Sequence, residues 1–195
     1  MTKTARPQSA PPSGRLLQLR IELAGLKPAI WRRVVVPETI TLAKLHRVIQ
    51  AAMGWADSHL HEFEIGGRRY GMPDPDWGAG DAVISEKRVG LSASLAGAKS
   101  FRYTYDFGDG WEHRVKIEKH LPPDACLRAP LCLDGANACP PEDVGGPYGY
   151  VDFLEAISDP RHPEHENMLD WCGGGFEPSD FDPERVNKLL QRIRP

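Results

Sequence analysis

Asp106 and Asp109 bracket a glycine in the segment 105–113 (YDFGDGWEH), and Glu142 and Asp143 follow two prolines in the segment 140–150 (PPEDVGGPYGY). Grouped carboxylates present hard oxygen donors, which suit a divalent ion such as Mg²⁺ or Ca²⁺, or a cationic ligand. The same Asp-Gly steps are also ordinary turn chemistry, in which the aspartate accepts hydrogen bonds from nearby backbone N–H groups. Histidines form a second set. His59 and His61 stand at i, i+2, which on a strand puts both rings on one face, and His113 shares a face with Trp111 and Val115. Inward imidazoles suit metal ligation or general-base work, or they are core side chains satisfied by backbone and carboxylate. The spacing Cys126-x5-Cys132-x6-Cys139 lacks the close C-x2-C of a zinc knuckle, and Cys172 follows Trp171 like a core residue. Gly145-Gly146 and Gly173–Gly175 read as sharp turns, because neither run forms a phosphate-binding G-x-x-x-x-G-K-[ST] loop.

These groups need elements to hold them. Leu17, Leu19, Ile21 and Leu23 alternate with polar residues, the period of a half-buried strand, and residues 29–36 (AIWRRVVV) continue as a second strand after the break at Gly25 to Pro28. Thr41 is placed to cap a helix carrying Leu42, Leu45, Ile49, Ala52 and Met53, and Gly54 is placed to end it. Residues 59–71 read as a hairpin with a Gly66-Gly67 turn, setting Glu64 opposite Arg69 and Phe63 opposite Tyr70. Residues 72–80 read as a loop, and Leu91 and Leu95 mark a short helix within the ambiguous 81–99 stretch. Phe101, Tyr103, Tyr105 and Phe107 alternate along another strand. A three-residue loop, 108–110, pairs Phe107 with Trp111, Tyr105 with His113, Tyr103 with Val115 and Phe101 with Ile117, which also sets Asp106 opposite Glu112. Residues 122–147 read as a long Pro- and Cys-punctuated loop. Helices are expected over 150–158, over 164–172, and after an Asp182 cap with Pro183 at the first position, where Val186, Leu189, Leu190 and Ile193 form the buried stripe.

The chain has 195 residues, 41% of them hydrophobic, and a formal charge of −3. That composition excludes fibrous and wholly disordered classes and fits a single domain over 15–195, behind a disordered polar tail at 1–14. The tail lacks the apolar stretch of a secretory signal, and nothing approaches the ~20 apolar residues of a membrane helix. A cytoplasmic protein with reduced cysteines and no membrane partner is therefore expected. Residues 1–121 carry 18 basic and 13 acidic side chains, against 6 and 14 in residues 122–195. The two parts are expected to attract one another, a basic nucleic-acid face being the other reading.

The segments 27–33 (KPAIWRR), 45–55 (LHRVIQAAMGW), 59–63 (HLHEF), 105–113 and 140–150, in that order, resemble the plasmid pRiA4b ORF-3-like family, also known as TnpR-like passengers of insertion elements. The resemblance runs from about Leu16 to the last helix. It implies an α+β fold with a strongly bent sheet of hairpins, antiparallel or mixed, packed helices and C-terminal helices. It implies no established reaction. Function is thus expected to be that of a non-enzymatic accessory or binding domain associated with plasmids or mobile elements. The concave side of the sheet would recognise a protein or ligand partner through Asp106, Asp109, Trp111, His113, Glu142 and Asp143. One alternative is a metal-dependent hydrolase on the same carboxylates, with His59, His61 and His113 as metal candidates and a divalent ion as cofactor. Another is a nucleic-acid binder using Arg32, Arg33, Arg68 and Arg69.

Overall fold

The structure, a computed structural model, describes residues 14–73, 83–124 and 130–193. Two strands, β1 (Leu16–Leu23) and β2 (Trp31–Pro37), precede helix α1 (Leu42–Met53). Next come β3 (His61–Ile65), β4 (Arg68–Gly71), the short β5 (Ile84–Ser85), a 3₁₀ turn over Glu86–Arg88 and α2 (Leu91–Leu95). The long hairpin β6 (Ser100–Tyr105) and β7 (Trp111–Leu121) follows, then β8 (Leu131–Ala136), α3 (Gly146–Ser158), α4 (His165–Trp171) and α5 (Pro183–Leu190). The strands form one eight-stranded mixed sheet ordered β5-β4-β3-β6-β7-β1-β2-β8, antiparallel except for the β4–β5 pair. The chain is α+β, as the resemblance implies. Among the described residues no helix is long and apolar enough to cross a membrane. The 1–13 tail, residues 74–82 of the loop region and Cys126 lie outside the described residues.

One face of the sheet is apolar and is covered by α1. Leu19, Ile21, Val34, Phe63, Tyr103 and Val115 are all buried on it, together with Leu45 and Ile49 of the helix. Helix α1 is specified at both ends: the Thr41 hydroxyl accepts from the Lys44 amide at 3.3 Å, and Gly54 closes the helix in the left-handed region. The β3–β4 register places Phe63 against Tyr70 and Glu64 against Arg69, as expected.

The β6–β7 register differs from expectation. Tyr105 pairs with Trp111, Tyr103 with His113 and Phe101 with Val115, so the loop is 106–110 and Thr104, not Asp106, faces Glu112. A two-residue slip keeps every ring on its face, which is why alternation alone cannot detect it. The loop explains the shift. Asp106 adopts a left-handed φ of 54°, its Oδ1 accepts from the Gly108 amide at 3.0 Å, and the Gly110 amide donates to its carbonyl at 2.6 Å. The chain therefore leaves the ladder one residue after Tyr105, and Phe107 is exposed rather than paired.

The 122–147 segment is not wholly loop. β8 continues the sheet by pairing with the free edge of β2, and α3 begins at Gly146, four residues earlier than its apolar pattern suggests. Proline punctuation hid a strand that needs only six residues. Helix α5 has the predicted start, with the Asp182 carboxylate accepting from the Glu184 amide at 2.8 Å and Pro183 in the first turn. Val186, Leu190 and Ile193 are buried, but Leu189 is exposed and leaves the stripe. At the outer edge of β8 the Asn187 side chain accepts from the Cys132 amide at 2.7 Å and donates to the Cys132 carbonyl at 2.9 Å.

Candidate functional site

Three loops meet at one end of the apolar face: the 55–60 turn after α1, the 106–110 hairpin loop and the 140–146 approach to α3. Glu142 ties them. Its Oε1 accepts from the Tyr105 hydroxyl at 2.6 Å and from the Ala56 amide at 3.2 Å. The Tyr105 oxygen in turn accepts from the Ser58 amide at 2.9 Å, and the Trp55 indole N–H donates to the Pro140 carbonyl at 3.0 Å. The hairpin tip is clamped from the other side, where the Gly145 amide donates to Asp109 Oδ2 at 3.1 Å. Gly146, at φ 72°, passes so close that a Cβ there would overlap the Asp109 carbonyl.

This convergence puts Asp106, Asp109, Glu142 and Asp143 at one rim, four of the six residues singled out from the sequence. The other two are elsewhere. Trp111 is buried beneath the rim, stacked obliquely on Trp55, and His113 is sealed in the core at 1% exposure. Burial pushes the His113 pKa down to about 4, against opposing hydrogen bonds to the Tyr103 and Trp111 carbonyls, so a neutral ring fills this position at neutral pH.

The three histidines do not converge. His59 Nε2 lies 3.2 Å from Asp143 Oδ1 and 3.7 Å from Asp106 Oδ2. His61 Nε2 instead meets the buried Glu86 carboxylate at 2.9 Å. Its ring stacks on His46, a residue the sequence reading missed, with centroids 3.5 Å apart and planes within 5°. His46 Nδ1 bonds the Tyr103 hydroxyl at 2.8 Å and its Nε2 bonds Asp57 at 2.6 Å. Gln50 completes the network by donating to the Tyr103 hydroxyl at 3.1 Å and accepting from the Asp57 amide at 3.0 Å. The available signal was the i, i+4 pair His46 and Gln50, two polar side chains beside the apolar stripe of α1.

Burial also acts on a phenol and two thiols. Desolvation, then the bond to Glu142, raises the Tyr105 phenol far above its usual range. Burial likewise raises the Cys132 and Cys139 thiols, which stand free together with Cys172.

The four arginines proposed for nucleic acid are dispersed. Arg33 pairs with Glu118 at 2.7 Å and Asp134 at 3.0 Å, and Arg69 pairs with Glu62 at 2.7 Å. Strand β4, which carries Arg68 and Arg69, is separated from β2 by four strands. Arg32 is buried on the inner face. Its guanidinium donates to the carbonyls of Ala52, Trp31 and Ala136 at 2.9–3.0 Å and lies 4.6 Å from the Phe181 ring. It holds the end of α1, the start of β2 and the end of β8 together. Substituting Arg32→Met orphans those carbonyls, each costing about 1 kcal/mol or more. We expect a loss of roughly 3 kcal/mol in urea unfolding, against less than about 0.5 kcal/mol for Arg68→Ala on the exposed hairpin.

Comparison with known proteins agrees with this architecture. The chain is similar to the uncharacterized protein y4hQ of Sinorhizobium fredii (strain NBRC 101917 / NGR234), 48% identical over 174 residues, covering 88% of this chain and 86% of the relative. It also resembles the crystal structure of MM3350, a protein of unknown function from Methanosarcina mazei Go1. That match has a TM-score of 0.81 at 40% identity and covers 88% of this chain and 96% of the other. The family model of the plasmid pRiA4b ORF-3-like protein matches residues 15–185. With the motifs, the α+β sheet and both relatives in agreement, the chain belongs to the plasmid pRiA4b ORF-3-like family.

Proposed function

We propose that this chain is a non-enzymatic binding domain, of the accessory kind associated with plasmids and mobile elements, whose acidic rim recognises a cation. The observation that carries the reading is the convergence of Asp106, Asp109, Glu142 and Asp143 from two loops onto one edge, where His59 is the basic group set between them. A positively charged ligand compensates such a cluster, and complementary charge also steers its approach. Leu60 and Phe107 are exposed next to Asp106, which gives the stem of an organic cation an apolar and aromatic surface to lie on. The phenol of Tyr105 and the thiols of Cys132 and Cys139, all raised by burial, and the neutral core imidazole favour binding over turnover.

The test is a heteronuclear NMR titration of the full chain with spermine, an arginine-rich peptide and Zn²⁺. At least one of these cations should perturb amides confined to residues 57–60, 106–110 and 142–146, and the effect of the organic cations should weaken with salt. Silence towards all three, or changes scattered over the surface, would overturn the reading. A second reading, a metal-dependent hydrolase, is favoured by the imidazole set between two carboxylates. Its signature is Mn²⁺-dependent cleavage of a chromogenic phosphodiester that Asp143→Asn abolishes.

A further inference from the structure

We propose that the cation at the rim is a single first-row divalent metal ion held by His59 Nε2, Asp106 Oδ2 and Asp143 Oδ1, an inference that rests on the cation-binding reading above. The three donor atoms lie within 4.8 Å of one another. Around a metal with bonds near 2.1 Å, neighbouring ligands stand about 3.0–3.4 Å apart. His59 Nε2 is 3.2 Å from one carboxylate and 3.7 Å from the other, so the two edges it makes already stand near that spacing.

Two details distinguish this set from a surface cluster of acids. The His59 ring is partly exposed, but its Nε2 is shut off from solvent and makes no well-aligned hydrogen bond, its near neighbours being the carboxylate oxygens of Asp143 and Asp106. Asp106 is buried, and its two oxygens are divided: Oδ1 serves the Gly108 and Asp109 amides, while Oδ2 is turned towards His59. Asp106 and Asp143 also both occupy the left-handed region, at φ 54° and 60°.

Each ligand comes from a different loop. Asp143 is largely exposed, which leaves the remaining coordination positions open to solvent or to a ligand. The imidazole nitrogen selects first-row ions such as Zn²⁺ or Mn²⁺ over Mg²⁺ and Ca²⁺, which take oxygen donors.

The deeper group of His46, Asp57 and His61 meets the same distance limit, but its two rings are parallel at 3.5 Å. A metal lies in the plane of an imidazole that binds it, and two face-to-face rings cannot both point their lone pairs at one ion. That group is a packed, hydrogen-bonded core network.

The experiment is isothermal titration of the full chain, stripped with a chelator, using Zn²⁺, Mn²⁺ and Mg²⁺. We expect one Zn²⁺ or Mn²⁺ per chain, bound at least about tenfold more tightly than Mg²⁺. Asp143→Asn and His59→Ala should each weaken binding by at least about tenfold. Asn tolerates left-handed backbone, so Asp143→Asn should keep the metal-free melting temperature and circular dichroism, which separates a lost ligand from a lost fold. Asp57→Asn should leave the affinity unchanged. Absence of saturable binding, equal affinity for Mg²⁺, insensitivity to both rim variants, or loss on Asp57→Asn would each overturn the inference. Spermine or peptide binding at the rim without metal binding sinks the inference and leaves the cation reading standing. No response to any cation removes both.

Discussion

Replacing Gly146 by alanine should lower the melting temperature by about 6–12 °C, several times the effect of the same change at Gly25. Both glycines have positive φ, 72° and 82°, so both substitutions incur the left-handed penalty of roughly 1 kcal/mol for a residue with a Cβ. At Gly25 that is the whole cost, because a methyl group there meets nothing. At Gly146 the methyl overlaps the Asp109 carbonyl oxygen, presses on its carbon and touches its Cα. These are backbone atoms of a loop already fixed by Asp106 and by the Gly145 amide, so they cannot swing aside as a flexible side chain would. Relief requires the 140–146 segment to lift off the hairpin tip, which strips Glu142 from Tyr105 and Trp55 from Pro140. Overlap and lost contacts together bring the expected cost to about 3 kcal/mol or more. Calorimetry of the two variants side by side is the check. A Gly146→Ala loss no larger than that of Gly25→Ala would mean the tip and the loop are not packed as described.

The second large effect is a loss of stability in mild acid, set by His113. Its ring titrates near 6.5 in the unfolded chain and near 4 in the folded one, because burial opposes the charged form. Between those values the unfolded state holds a proton that the folded state refuses, so unfolding takes up a proton and stability falls as the pH drops through the window. Above pH 6.5 neither state is charged and the contribution is flat. At about 1.4 kcal/mol per pH unit, the full interval is worth roughly 3 kcal/mol. His46, also depressed first by desolvation and next by the neighbouring His61, adds to the slope in the same direction. Urea unfolding at pH 7, 6, 5 and 4 should therefore show a steady decline that begins well above the carboxylate range. His113→Gln should be less stable at pH 7 but markedly flatter between pH 6.5 and 5. Equal stability of the unaltered chain at pH 7 and 5 would contradict a neutral, sealed imidazole.

The elements read most securely from the sequence were those whose signals are local. The Thr41 cap, the Gly54 stop, the Gly66-Gly67 turn and the Asp182-Pro183 start all act within a few residues, and each is where the residue types put it. The alternation of Phe101, Tyr103 and Tyr105 gave the buried face correctly but not the pairing, because a slip of two residues leaves that face unchanged. Only the Asp106 backbone, turned left-handed to bind its own loop, fixes the register. β8 escaped notice for another reason: its partner, β2, lies about a hundred residues earlier, and nothing in a short Pro-bounded run announces a distant edge. The rim shows the same division. Its carboxylates stood out as two local groups, 106/109 and 142/143, whereas the imidazole that meets one from each is contributed from another part of the chain. His46 and Asp57 were invisible as a pair, since their bond depends on how the chain reverses after Gly54.

The Asn187 amide has a bearing on how molecules of this chain meet one another. A sheet that ends in a strand with free backbone groups invites the next molecule to add its own strand, and repetition of that step builds filaments. Here a side chain occupies the donor and acceptor of Cys132 with a matching acceptor and donor, imitating a neighbouring strand for the length of one residue. A newcomer would have to displace a helix-borne plug before forming its first hydrogen bond at Cys132. Crowded copies of the protein thus meet an edge that is already taken at this point, and the last strand can remain short without becoming adhesive there.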